Sequence, residues 1–205
     1  NQFMDAMGSS NQLAGDIELL RSRVMIARVI ARMQMNVSYF SQGNVLDNEM
    51  YNNSPFSIEY QVQDSSLLDS RFILYFDSQK QFKVSYNWDD QEVSRTGAIG
   101  EWNAYPGIRL KVKIINYPII LRQQKKISDA PYYFTINNNE SLIEKYFQFV
   151  SVLLLNPNAQ TIKISFKDNN ASKAADFVNR MAEEYDEYDK ERKSEGSNKS
   201  LGFIN

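Results

Sequence analysis

The chain has 205 residues, of which 42% are hydrophobic and 13% aromatic, enough for one large domain or two small ones and too much for a disordered segment. It contains neither cysteine nor histidine, which excludes disulfides, thiolate and histidine metal sites, and Ser-His-Asp catalysis. A net charge of −2 argues against a nucleic-acid-binding face, and no apolar run reaches the ~20 residues that a bilayer-spanning helix needs.

Residues 1–15 read as a loose lead-in, and Asp16 is placed to cap a helix running to about Gln34. Ile17, Leu20, Val24, Ala27 and Ile30 fall at helical spacing and predict its buried face. Arg21, Arg28 and Arg32 fall on another face with Glu18 beside them, either a solvated surface or a contact for an acidic neighbour. From Val37 the period changes to two. Val37 and Tyr39 alternate, and Phe56, Ile58, Tyr60 and Val62 predict a strand. Phe72 to Phe76 and Phe82 to Tyr86 predict a hairpin around Asp77-Ser78-Gln79-Lys80. Ile108 to Ile114 and Tyr132 to Ile136 alternate again. Tyr117 to Leu121 is a short apolar run holding Pro118, which suggests an edge strand or a bulge. The short connections favour six or seven antiparallel strands.

Asn137 to Asn139 offer a cap for a helix from Glu140 to about Phe149. Val152 to Leu155 is a continuous apolar run that predicts a buried strand, and a turn at Pro157-Asn158 leads to another strand over Thr161 to Lys167. In the final helix Ala171, Ala174, Ala175, Val178, Met181, Ala182 and Tyr185 repeat at spacings of three and four and predict the packed face. From Asp186 to Ser200 the residues are almost wholly polar. The pairs Asp186 with Lys190 and Asp189 with Lys193 support a helix by only ~0.3–0.5 kcal/mol each. A helix over 170–204 would be ~50 Å long and would form a truncated arm ending on apolar Leu201, Phe203 and Ile204. The alternative is an unstructured tail beyond 193.

Five local patterns occur in one order. They are Asp16-Ile17-Glu18-Leu19-Leu20-Arg21-Ser22-Arg23; Met35-Asn36-Val37-Ser38-Tyr39-Phe40; Glu49-Met50-Tyr51 with Ser54-Pro55-Phe56; Ala174-Ala175-Asp176-Phe177-Val178-Asn179 leading to Tyr185; and Glu191-Arg192-Lys193-Ser194 with Lys199-Ser200-Leu201. Together they resemble the periplasmic region of bacterial polysaccharide co-polymerases, also called chain-length determinant proteins. The branch is the one associated with a tyrosine autokinase in capsule and exopolysaccharide export, and Tyr51-Asn52-Asn53-Ser54-Pro55-Phe56 is similar to Bacteroides-type members. The resemblance implies an α+β fold: a membrane-proximal mixed base with long N- and C-terminal helices packed on a sheet, and an inserted antiparallel β-rich region. Residues 1–55 and 131–193 would form the base, 56–130 the insertion and 194–205 the start of the arm. Membrane anchors would lie outside this chain on each side, on the periplasmic face of the inner membrane. Family members form rings that govern polymer length and export. The family's Walker motifs and tyrosine-rich tail are absent from this chain.

Three functions are weighed on these residues. A non-catalytic scaffold, with no cofactor, would assemble with copies of itself and with the polymerase and export machinery. Its candidate interface pairs Glu18, Arg21, Arg28 and Arg32 with Glu183, Glu184, Asp186 and Glu187, with an intramolecular or solvated role as the alternative. A carbohydrate-binding β module would stack sugar rings on Trp88, Trp102 and Tyr105, with Tyr117 as a further aromatic. A glycoside hydrolase would need a carboxylate pair such as Asp89 and Asp90, or Glu92 and Glu101. A metal at Asp64, Asp69 or Asp89-Asp90 lacks any ligand spacing in its favour.

Overall fold

Period-two alternation in the middle of the chain becomes antiparallel sheet in the computed structural model, which describes residues 12–43, 46–125, 132–156 and 158–202, with side chains up to 194. The fold is α+β. Its contacts separate two units, one made of Asn1–Gln34 and Asn139–Asn205 and one of Met35–Asn138. The β-rich unit is therefore wider than the 56–130 segment expected from sequence.

In the β-rich unit the strands are β1 (Val37–Ser41), β2 (Asn48–Glu49), β3 (Phe56–Val62), β4 (Arg71–Phe76), β5 (Gln81–Trp88), β6 (Gln91–Ala98), β7 (Asn103–Tyr105), β8 (Ile108–Ile114) and β9 (Tyr132–Ile136). One sheet has the order β2-β1-β9-β4-β5-β6 and the other β3-β8-β7. Alternate residues point inward: Phe72, Leu74 and Phe76 from β4, Phe82, Val84 and Tyr86 from β5, and Ile108, Leu110 and Val112 from β8. They join Phe56, Tyr132 and Phe134 in a core shared by both sheets. Phe56 meets Tyr39 at 5.5 Å, Phe76 at 5.4 Å and Tyr132 at 5.4 Å between ring centroids, offset and edge-on as ring quadrupoles favour.

The hairpin around Asp77-Ser78-Gln79-Lys80 forms as expected, with the Ser78 hydroxyl accepting from the Lys80 and Gln81 amides. The apolar run at Tyr117 is not an edge strand or bulge. It is helix α3 (Tyr117–Gln124), preceded in the chain by α1 (residues 12–20) and α2 (Arg23–Arg32). Asn116 caps it by accepting from the Ile119 amide at 3.2 Å, and Pro118 sits in the first turn, where its missing N–H costs nothing. Strand β6 escapes the alternation rule because only Val93 and Gly97 turn inward. Gly97 has no room for a side chain: a Cβ there would meet the Tyr105 hydroxyl and would lie 2.6 Å from Phe82 Cζ.

In the other unit residues 12–20 form α1, followed by α2 (Arg23–Arg32), α4 (Asn139–Phe147), β10 (Val150–Asn156), β11 (Thr161–Phe166) and α5 (Ala171–Gly202). The single helix expected from Asp16 to Gln34 is two. Asp16 is not a cap, because the helix is already running before it. The chain breaks at 21–22, and Ser22 starts α2 by accepting from the Met25 amide at 3.1 Å. The restart rotates the buried face onto Met25, Ile26, Val29 and Ile30 and leaves Val24 62% exposed. Strands β10 and β11 form a two-stranded antiparallel ribbon. Only Val152 of the expected buried run is covered, and Leu153 and Leu155 stand 50% and 60% exposed. A ribbon of two strands buries one face at most. The buried stripe of α5 is Lys173, Phe177, Met181 and Glu184, rotated from the small-residue face, whose Ala171, Ala175 and Ala182 are exposed. Helix α5 continues through Gly202, which decides against an unstructured tail directly beyond 193. Phe203 and Ile204, expected at the end of the arm, lie outside the described residues. Among the described residues no helix is long and apolar enough to cross a membrane.

Gly97→Ala should destabilise the β-rich unit by ~2–3 kcal/mol, because the sheet must open or Tyr105 and Phe82 must leave their rotamers. Urea unfolding of the chain, followed by circular dichroism, reads the shift in midpoint.

Candidate functional site

The residues chosen for an interface divide into those the fold brings together and those it leaves on the surface. Arg28 and Arg32 are one helical turn apart on α2, and Glu184, Glu187 and Glu191 are three and four residues apart on α5. Each set therefore presents one row of charge. Glu184 is 2% exposed and accepts Arg28 Nε at 3.1 Å on one oxygen and Arg32 Nε at 3.0 Å on the other. Arg28 also reaches Glu191 with two parallel bonds of 3.1 Å, and Arg32 reaches Glu187 at 2.6 Å. The Arg28 guanidinium lies 5.7 Å from the Tyr188 ring centroid. Two forked guanidiniums and three carboxylates thus form one network, the intramolecular alternative weighed for these charges. Glu191 lies outside the interface set expected from sequence, although its spacing from Glu184 and Glu187 marks it.

The hydrogen bonds that Arg28 donates to Glu191, and after them the one to Glu184, raise the Arg28 pKa above its usual value. In return the bond from Arg28 holds the Glu191 carboxyl below the ordinary glutamate range. Arg21 points elsewhere and donates to the Val152 carbonyl on β10. Glu18, Glu183 and Asp186 are exposed, and Glu183 pairs with Arg180 on its own helix. A second anchor joins α1 to α5. The Tyr185 hydroxyl is hydrogen-bonded to the buried Asp16, and burial first, then that bond, push the tyrosine up to about 12. Arg192 approaches Asp16 Oδ1 at 3.9 Å.

The aromatic candidates in the β-rich unit do not converge. Tyr105 belongs to the core, its hydroxyl donating to the Thr96 carbonyl at 3.3 Å. Trp102 is exposed, with the Arg109 guanidinium 5.6 Å from its ring centroid. Tyr117 packs against the core. Trp88, likewise packed against the core, borders a cleft of about 710 Å³ lined by Asp64, Ser66, Asn87, Trp88, Asp89 and Asp90. Asp89 and Asp90 form the two-residue turn between β5 and β6, with φ of 51° and 58°. Glu92 and Glu101 are exposed outside that cleft. Asp69 accepts from the Asn138 amide at 2.8 Å. Among the described residues no group of three acidic side chains is placed to hold a metal ion. The sequence matches no protein-family model and no curated protein.

Removing the buried carboxylate by Glu184→Ala should cost ~2–3 kcal/mol, because two guanidiniums lose their shared acceptor, whereas Glu183→Ala should stay within ~0.5 kcal/mol of the parent. Chemical denaturation of both variants compares them directly. A carboxyl held low in the folded state adds stability above its unfolded pKa and loses it as pH falls through the folded value. The Glu191 contribution should therefore be constant above the ordinary glutamate value of ~4.3 and be lost below it, and Glu191→Gln should flatten the acid side of a stability titration.

Proposed function

We propose that the chain is a non-catalytic scaffold of a bacterial polysaccharide co-polymerase, acting on the periplasmic face of the inner membrane and assembling with copies of itself to control the length and export of a capsular or exopolysaccharide. The observation that carries the proposal is α5. It is a continuous 32-residue helix, ~48 Å long at 1.5 Å per residue, clamped to α2 by the Arg–Glu network over its middle and continuing beyond that clamp. A rod fastened along part of its length and extended beyond the clamp suits assembly rather than chemistry. The five ordered sequence patterns support the same family. With Arg28, Arg32, Glu184 and Glu187 engaged inside the chain, the candidate interface positions that stay exposed are Glu18, Asp186 and Glu183, the last paired with Arg180 on its own helix. A second reading, carbohydrate binding by the β-rich unit, is favoured by the indole of Trp88 at the edge of its cleft.

Deleting this region from the intact protein in its host should abolish the modal polymer length seen on gels; an unchanged length distribution would overturn the scaffold proposal. Because the chain has no cysteine, single cysteines at Glu18, Glu183 or Asp186 report cleanly. In membranes they should crosslink neighbouring subunits, and monomers at all three positions would remove these faces from the interface.

A further inference from the structure

The cleft at the β5–β6 turn is built from parts that fix one another. Trp88 Nε1 donates to Asp64 Oδ2 at 2.8 Å. Asp64 Oδ1 accepts the Ser66 amide at 2.9 Å at the start of a short 3-10 turn, Ser65–Leu67. The Gln63 and Asp64 amides both donate to the Gly107 carbonyl, at 2.9 and 3.0 Å. Gly107 has φ +73°, and a Cβ there would lie 3.0 Å from Trp88 Nε1, so the glycine lets the backbone close against the indole. The Trp88 ring thus has its edge held and cannot swing away.

The rest of the lining accepts hydrogen bonds. Asp64, Asp89 and Asp90 contribute carboxylates, Asn87 an amide and Ser66 a hydroxyl, and neither lysine nor arginine lines the cleft. The Asp64 carboxyl is held below its usual range by the Ser66 backbone amide first and the indole second, so it is an ionised acceptor at neutral pH. Asp89 and Asp90 both adopt left-handed backbone, in a two-residue turn where glycine or asparagine would be relaxed. Aspartate tolerates this backbone, and the turn places both carboxylates at the rim of the cleft.

We infer that this cleft binds a saccharide whose units offer hydroxyl or amino donors and carry no acidic group. A sugar presents C–H bonds to the indole and its hydroxyls to the carboxylates, charge-assisted bonds stronger than neutral ones. An ammonium gains further from the three acids, and a uronate meets like charge. The inference rests on the carbohydrate-binding reading and is independent of the scaffold proposal, so the polymer-length assay and the titration below fail separately.

The test uses the whole chain carrying Trp102→Phe, which leaves Trp88 as its one indole. Its fluorescence is titrated with β-1,4-linked hexamers of glucose and of glucosamine, with a galacturonic acid hexamer, and with calcium chloride. Saturable changes are expected with glucose and glucosamine, tighter and salt-sensitive with glucosamine, and none with galacturonate. Asp89→Asn combined with Asp90→Asn should weaken the glucosamine hexamer roughly tenfold. Asp90→Gly should raise Tm, because the turn relaxes, while weakening the same binding; this variant separates lost ligand contacts from lost folding. Equal binding of the galacturonate hexamer, silence toward all three saccharides, a response to calcium alone, or undiminished binding by Asp90→Gly would each overturn the inference.

Discussion

A single buried carboxylate organises the helical unit. Glu184 occupies a position of α5 that would otherwise be apolar, and its two oxygens are shared between Arg28 and Arg32. A buried charge is costly unless paired and hydrogen-bonded, so α2 and α5 are bound to one relative placement. Slide either helix by a turn and Glu184 keeps at most one of its two partners. Glu187 and Glu191, each exposed enough to be weak alone, extend the same registry along the rod. Hydrophobic packing by Met25, Ile26, Val29 and Ile30 supplies much of the attraction, and the charges choose the alignment.

The same choice explains where sequence patterning succeeds and where it slips. Clean alternation at Phe72-Leu74-Phe76, Phe82-Val84-Tyr86 and Ile108-Leu110-Val112 is legible because every second residue is large and apolar. Strand β6 is not, since its inward positions include a glycine made necessary by Tyr105 and Phe82. Helix α5 defeats a count of apolar residues because its buried stripe holds Lys173 and Glu184, each neutralised by a partner distant or recent in the chain: Asp168 for the lysine, Arg28 and Arg32 for the glutamate. Leu153 and Leu155 mislead in the opposite direction, apolar residues on a ribbon too narrow to cover both faces. The apolar run around Pro118 reads as a strand, while Asn116, two residues before it, carries the helix-cap signal.

The candidate sites show a similar division. Residue type and helical spacing pick out the two arginines and the acidic stretch, yet only tertiary geometry tells that Arg28 and Arg32 find their acids within the chain and that Arg21 caps a strand carbonyl instead. Among the aromatic residues expected at a sugar contact, Tyr105 is buried, Trp102 is exposed with a guanidinium near its ring, and Trp88 is half-buried at the edge of the cleft. Its selection depends on Gly107 and Asp64, residues remote in sequence that no local pattern links to it.

The chain enters the β-rich unit on β1 and leaves it on β9, and these strands pair with Val37 opposite Ile136. The Asn137 amide even donates to the Asn36 carbonyl at 2.8 Å. The two ends of a hundred-residue excursion are therefore a hydrogen bond apart, a gap that a tight loop of a few residues would close. Because its entry and exit strands are neighbours, the module meets the rest of the chain at a gap that stays the same whatever the length of its own loops.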